Sequence, residues 1–186
     1  GQSMIIGISG TFGAGKDLVA KCLEEKKDFQ HLSLADILRE IAVENGIGVD
    51  RESVRILANK LNQEEGGDFL AQRALKRKSK KNLVISAVRR PEEIDLLKKQ
   101  DNFILIFVDA PTEIRFQRLV SRSRDIEGQM TLDELKNKEN LESSGKSSQR
   151  VDLCKEKADF IIDNSGTKDE LHQKINKILK ECCDSV

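Results

Sequence analysis

The stretch Gly10-Thr-Phe-Gly-Ala-Gly-Lys-Asp17 follows a short apolar run and precedes a helical pattern that carries Leu18 and Leu23. In that setting, the spacing Gly-x-x-x-x-Gly-Lys is typical of a loop whose backbone N–H groups surround the phosphates of a nucleotide. Glycines permit this because they carry no Cβ, and Lys16 supplies a positive charge for the β and γ phosphates. The positive end of the following helix favours the same anion. The residues that we expect to bind the nucleotide are Gly10, Thr11, Phe12, Gly13, Ala14, Gly15, Lys16 and Asp17.

Asp17 stands where such loops usually have the Ser or Thr that coordinates Mg²⁺. A carboxylate binds this ion directly or through water, so Asp17 is our candidate metal ligand. The alternative is a favourable interaction of its negative charge with the first turn of the helix.

Five short apolar runs bounded by turn or helix signals predict the strands of the fold. The run Phe-Ile-Leu-Ile-Phe-Val is apolar throughout, as is typical of a strand that is buried on both faces. Helical stripes alternate with the runs, which predicts an α/β domain with a parallel sheet covered by helices on both faces. The predicted strands are Met4–Ile8, Phe29–Leu32, Leu83–Ile85, Phe103–Val108 and Phe160–Ile162.

Composition argues against several classes of function. The 32 basic and 32 acidic residues cancel, and the chain has no Trp or Tyr, so we expect no nucleic-acid partner. No apolar run approaches the roughly 20 residues of a membrane span. The cysteines show no metal-ligand spacing, so we expect free thiols in the cytoplasm. Gly1-Gln2-Ser3 resembles a cloning remnant and is left out of the predicted fold.

Beyond the loop, nearly the whole chain resembles the P-loop nucleotide kinases. Ser33-Leu-Ala-Asp-Ile-Leu-Arg39 resembles the segment that lines the acceptor pocket of adenylate-kinase-like enzymes. Val84-Ile-Ser-Ala-Val-Arg-Arg-Pro-Glu-Glu93 is similar to the third-strand segment of deoxynucleoside monophosphate kinases and archaeal dephospho-coenzyme-A-kinase-like proteins. The segments that resemble dephospho-coenzyme A kinases are Val108–Pro111 with Gln117–Arg122, and Ala158–Glu170.

The resemblance implies a three-layer fold with a five-stranded parallel sheet, an acceptor-binding arm at roughly 37–80 and a lid at roughly 122–148. It also implies ATP and Mg²⁺ as cofactors. Many of these kinases have an Asp at the end of the third strand, near magnesium, where this chain has Ser86-Ala87. The residues implied to contact the acceptor are Ser33, Asp36, Arg39 and Arg89, and those implied to lie beside the base are Asn164 and Gly166.

The candidate catalytic residues are Lys16, Asp36, Arg118 and Arg122. Asp36 is a candidate for positioning or deprotonating the acceptor, and the alternative is a polar residue early in an amphipathic helix. Arg118 and Arg122 are one helical turn apart, so both can reach the triphosphate, and the alternative is a solvated helix end. For Arg39 the alternative to an acceptor contact is also a solvated helix position.

These features together predict ATP-dependent, Mg²⁺-assisted phosphoryl transfer to a small nucleotide acceptor, foremost a nucleoside or deoxynucleoside monophosphate. Dephospho-coenzyme A, phosphorylated on a ribose hydroxyl, is the alternative acceptor. From other classes, a non-catalytic nucleotide-binding module and a triphosphatase that acts on macromolecules stay open. The sequence predicts neither a membrane partner nor a particular oligomeric state.

Overall fold

The computed structural model of the chain describes residues 3–26, 28–123, 133–134, 137 and 150–183. Five parallel strands form one sheet in the order β2-β3-β1-β4-β5, which confirms the predicted fold class. Each strand runs one or two residues further at its carboxyl end than its apolar run, because polar residues there still join the backbone ladder. The strands are β1 Ile5–Gly10, β2 Phe29–Ser33, β3 Asn82–Ser86, β4 Phe103–Asp109 and β5 Phe160–Asp163.

Helices cover both faces of the sheet, so that two apolar cores lie on either side of it. Residues of α2, α3, α4, α5 and α7 join one core, while residues of α1 and α8 join the other. Their bounds are α1 Lys16–Glu24, α2 Leu34–Glu44, α3 Arg51–Glu65, α4 Phe69–Lys76, α5 Pro91–Leu97, α6 Thr112–Ser123, α7 Val151–Glu156 and α8 Lys168–Cys183.

The strand order changes direction at β1, with β3 and β2 on one side and β4 and β5 on the other. Open parallel sheets bind ligands in the crevice beyond the carboxyl ends of their strands, at such a switch point. The segment that follows β1 therefore lies where the fold favours a ligand.

The segment predicted as an acceptor-binding arm contains most of α2, all of α3 and all of α4. Buried residues of these helices, such as Ile41, Leu57 and Ala71, belong to the same apolar core as β3 and α5. Asp50 is the N-cap residue of α3, because its side chain accepts a hydrogen bond from Ser53 N–H at 3.1 Å. The predicted lid lies almost wholly outside the described residues.

None of the described helices is both long and apolar enough to cross a membrane. Cys22, Cys154 and Cys182 are free thiols.

Candidate functional site: a braced phosphate loop and an arginine-bearing edge

The predicted phosphate loop connects the end of β1 to the first residue of α1. Gly10 is required there because a Cβ at this position would overlap the carbonyl oxygen of Val108 on the neighbouring strand β4. Gly15, directly before α1, has a φ of 95°, which L-residues with side chains rarely adopt. The Lys16 ammonium group donates a hydrogen bond to Gly10 O at 3.3 Å, so its side chain lies back along the loop.

Side chains from outside the loop hold two of its carbonyl groups. Arg115 Nη1 donates to Phe12 O at 3.3 Å, and Asn164 Nδ2 and Arg118 Nη1 donate to Ala14 O at 2.8 and 3.2 Å. In a trans peptide the C=O and the next N–H point in opposite directions. Fixing these carbonyls therefore turns the N–H groups that follow Phe12 and Ala14 to the other side, as a cradle for an anion requires.

Asp109, at the end of β4, anchors the start of the loop. Its Oδ1 accepts hydrogen bonds from Thr11 Oγ1 and Ala110 N–H, both at 2.9 Å, and its Oδ2 accepts one from Lys155 Nζ at 3.1 Å. Burial alone raises the pKa of Asp109, but the hydrogen bonds from Lys155, Thr11 and Ala110 outweigh it and lower the pKa below its usual value. The carboxylate therefore stays ionised and ties the loop to α7.

Arg115 and Asp109 are structural supports of the site that the sequence did not predict. Arg115 is buried, and its Nε donates to Ala110 O at 2.8 Å. Burial lowers the pKa of its guanidinium, whereas the charges of Asp109 and Glu113 raise it. Arg115 lies three residues before Arg118 on the same side of α6, and this spacing was the signal available in the sequence.

An open cleft of about 630 Å³ lies between α6 and the turn after β5. Gly166, predicted to lie beside the base, lines this cleft, whereas Asn164 is buried and holds the phosphate loop instead. The polar groups available to a ligand come from Gln117, Ser121 and Ser165, and Arg118 lies at the end nearest the loop.

The structure describes the side chain of only one of the two candidate catalytic arginines on α6. Arg118 braces the loop and the β5 turn, because its second Nη donates to Asn164 O at 2.5 Å. The side chain of Arg122 lies outside the described part of the chain, so its role stays a prediction.

Ser33, Asp36 and Arg39 come together at the beginning of α2. Ser33 is the N-cap residue, and its Oγ accepts a hydrogen bond from Asp36 N–H at 3.3 Å. Arg39 Nη2 lies 2.6 Å from Asp36 Oδ1, and both side chains are exposed. This group lies at the carboxyl end of β2, on the β3 side of the phosphate loop.

The two consecutive arginines after β3 have different surroundings. Arg89 is exposed, as an arginine that receives a ligand requires. Arg90 is the better packed of the two: its side chain is 15% exposed, and its Nε donates to Gly67 O at 3.1 Å. Glu93 Oε1 accepts hydrogen bonds from the N–H groups of both residues at 3.0 Å, which fixes the backbone from which Arg89 extends.

Asp17 is exposed in the first turn of α1, next to the phosphate loop. Among the described residues, no group of three or more His, Cys, Asp or Glu side chains is arranged to hold a metal ion by itself. One carboxylate beside a phosphate cradle fits Mg²⁺, which binds through one or two carboxylates together with substrate phosphates.

Residues 9–136 match the family model described as an AAA domain, which covers well over half of the chain. The chain belongs to this family of P-loop proteins. The chain is 28% identical over 188 residues to a UPF0200 protein of Thermococcus kodakarensis, a match that covers 96% of this chain and 97% of the relative. A UPF0200/UPF0201 protein of Archaeoglobus fulgidus is 28% identical over 160 residues, which cover 82% of this chain but 48% of that longer protein.

Solved structures with the same fold include several small-molecule kinases. Shikimate kinase from Acinetobacter baumannii, in complex with shikimate, aligns with a TM-score of 0.60 at 21% identity and covers 96% of this chain and 94% of that one. TT1252 from Thermus thermophilus aligns with a TM-score of 0.63 at 21% identity, over 97% and 98% of the two chains. At these identities the likeness shows the P-loop kinase fold alone.

Proposed function

We propose that this AAA-domain protein is an ATP-dependent kinase that uses Mg²⁺ to transfer the γ-phosphoryl group to a small nucleotide, foremost a nucleoside or deoxynucleoside monophosphate. The observation that carries the proposal is a site with two sides. On one side of β1, side chains from α6 and the β5 turn brace the phosphate loop, and the cleft beside Gly166 is open to a base. On the other side of β1, the segments that follow β2 and β3 carry the exposed Arg39 and Arg89. A module that only binds a nucleotide needs the phosphate loop, but it does not need the arginines on the other side of β1.

On the donor side, the loop amides and Lys16 hold the β and γ phosphates while the base occupies the cleft beside Gly166. Phosphoryl transfer requires mainly alignment and stabilisation of charge on the phosphate oxygens, so a fixed cradle contributes more than flexible contacts do. Bound Mg²⁺ would neutralise part of the phosphate charge, with Asp17 as its protein ligand. Arg118 and Arg122 add positive charge from α6.

On the acceptor side, Arg39 and Arg89 are exposed guanidinium groups on neighbouring elements of the same edge. A guanidinium group forms paired, charge-assisted hydrogen bonds with a phosphate, so the two residues suit an acceptor that carries one. Asp36, held 2.6 Å from Arg39, orients this arginine in the absence of acceptor.

The test is the release of ADP from MgATP in the presence of single acceptors, measured against the rate with ATP alone. The panel consists of the ribonucleoside and deoxynucleoside monophosphates, dephospho-coenzyme A and shikimate. We expect one acceptor class to raise ADP release at least about tenfold over the background. A steady hydrolysis of ATP that no acceptor changes would contradict the kinase and support a triphosphatase.

A further inference from the structure

Three polar side chains form a hydrogen-bonded chain from the end of α1 to the end of β3. His31 Nδ1 lies 3.2 Å from Glu24 Oε2, and His31 Nε2 lies 2.7 Å from Ser86 Oγ. The exposed fraction falls along the chain, from 54% for the Glu24 side chain to 23% for His31 and 5% for Ser86. The chain therefore connects solvent to a buried hydroxyl group.

Ser86 lies between the two halves of the proposed site. It is paired with Ser33 in the ladder between β2 and β3, and Val88 N–H donates to Ile8 O of β1 at 3.2 Å. On one side of Ser86 is thus the start of α2, and on the other is the strand that leads into the phosphate loop. Arg89 follows three residues later along the chain.

Each ring nitrogen of His31 donates or accepts according to the tautomer, and the order of partners favours one direction for the two hydrogen bonds. An ionised carboxylate only accepts, so Glu24 holds the histidine proton on Nδ1 and leaves Nε2 of His31 as an acceptor. The Ser86 hydroxyl then donates its proton to Nε2, and its oxygen lone pairs stay available to a further donor. Ser86 is therefore set to receive a proton, with an imidazole behind it.

We propose that Ser86, His31 and Glu24 form a proton relay for the phosphoryl acceptor, and that the atom that accepts the phosphoryl group is a hydroxyl oxygen. This inference rests on the proposed kinase function and narrows its substrate class. As the acceptor oxygen bonds to the γ phosphorus and the bond to ADP breaks, the hydroxyl proton passes to Ser86 Oγ. The proton of Ser86 passes to His31 Nε2, and the imidazolium, stabilised by Glu24, returns a proton to solvent.

A proton relay assists transfer to an alcohol acceptor, but a phosphate acceptor does not need one. An alcohol keeps its proton at neutral pH and must lose it during transfer, whereas a phosphate oxygen is already ionised. A positioned base contributes roughly a hundredfold or more to the rate of such a step. Asp36, the acid that the sequence predicted for this role, is paired with Arg39 at 2.6 Å, which leaves the relay as the better placed base.

Ribonucleoside monophosphates and ribose 5-phosphate test directly whether a hydroxyl oxygen or a phosphate oxygen accepts the phosphoryl group, because each molecule carries both. After incubation with MgATP, phosphorus NMR distinguishes a new phosphomonoester on the sugar from a diphosphate. We expect the phosphomonoester. A diphosphate product would overturn the relay and leave the kinase standing, whereas no acceptor-dependent ADP release in the parent protein would overturn the kinase and the relay with it.

The variants His31→Gln and His172→Gln separate proton transfer from structure. Glutamine keeps a hydrogen-bonding group beside Ser86 but cannot carry the proton, so we expect kcat to fall about a hundredfold while ATP affinity and the acceptor KM stay within a few-fold. His172 is the other histidine of the chain, exposed on α8 with Cys22 as its partner, and its replacement should change none of these quantities.

Chemical rescue and a second pair of variants cover the case in which His31→Gln folds poorly. Free imidazole should restore turnover to His31→Ala, which a purely structural histidine would not show. Glu24→Gln should lower kcat about tenfold, whereas replacement of its exposed neighbour, Glu25→Gln, should not. Full kcat in both His31→Gln and Glu24→Gln would overturn the relay.

Discussion

Glu93 is a buried carboxyl group, and its ionisation should govern how the stability of the protein changes with pH. The residue is 2% exposed, and its Oε1 accepts hydrogen bonds from the N–H groups of Arg89 and Arg90 at 3.0 Å each. Burial is the largest influence and raises the pKa of Glu93 from 4.5 to about 7, although these N–H groups and the two arginine charges oppose it.

A raised carboxyl pKa means that the folded protein binds this proton more tightly than the unfolded chain does. The stabilisation is complete at pH values below 4.5, and it is lost as the pH rises through about 7. The shift from 4.5 to about 7, at 1.36 kcal/mol per pH unit, corresponds to about 3 kcal/mol. The contribution of Glu93 to the free energy of unfolding should therefore fall by about this amount between pH 4.5 and pH 8.

The replacement Glu93→Gln removes the ionisable group and keeps an oxygen for the two N–H groups. We expect this contribution to vanish in the variant, so that the free energy of unfolding of Glu93→Gln relative to the parent rises by about 3 kcal/mol from pH 4.5 to pH 8. Urea unfolding at several pH values measures this. Glu92→Gln is the control, because the Glu92 side chain is half exposed. Parallel pH curves for the parent and Glu93→Gln would refute the buried ionisation.

Three further substitutions test the two sides of the site. Lys16→Ala should melt like the parent but lose on the order of a hundredfold or more in turnover. Full turnover in this variant would exclude the phosphate-loop assignment. Lys21→Ala is the control, because Lys21 is exposed on the same helix. Asp17→Ala should raise the Mg²⁺ concentration needed for activity, while nucleotide affinity without metal changes little. An unchanged Mg²⁺ titration would mean that Asp17 interacts only with the first turn of α1 and does not bind the metal. Arg89→Ala should leave ATP affinity, measured by calorimetry, within a few-fold of the parent and lower acceptor turnover by roughly a hundredfold. A large loss of ATP affinity with normal acceptor dependence would mean that Arg89 contacts ATP and not the acceptor.

The sheet and the phosphate loop could be predicted because their signals are local. An apolar run of strand length, a glycine pattern and a following helical stripe lie within the first 24 residues. The same holds for Ser33, Asp36 and Arg39, which meet because three residues make almost one helical turn. Helix N-caps such as Asp50 are also local, because the cap bonds to a residue three positions later.

The supports of the loop could not be predicted because they join distant parts of the chain. Thr11 and Asp109 are 98 residues apart, and Asn164 reaches Ala14 over 150. Such pairs follow from the strand order, which places β4 beside β1 and β5 beside β4. Local patterns along the chain do not reveal that order. His31 and Ser86 meet for the same reason, through pairing of β2 with β3.

The surroundings of Arg89 and Arg90 depend on a turn that no periodicity reveals. Ala87, between β3 and the arginines, has a φ of 60°, a left-handed conformation that is rare for a residue with a side chain. This turn, together with the two hydrogen bonds to Glu93, decides which guanidinium packs against Gly67 and which stays exposed.

Whether the γ-phosphoryl group of ATP goes to an organic acceptor or to water separates a kinase from a triphosphatase. The direct measurement follows ATP labelled in the γ-phosphoryl group, with Mg²⁺ and the best acceptor, and determines the fraction of label in the phosphorylated acceptor and in inorganic phosphate. We expect most of the label in the acceptor and a loss of this product in Lys16→Ala. Label that accumulates only as inorganic phosphate, at a rate independent of every acceptor, would contradict the proposed kinase.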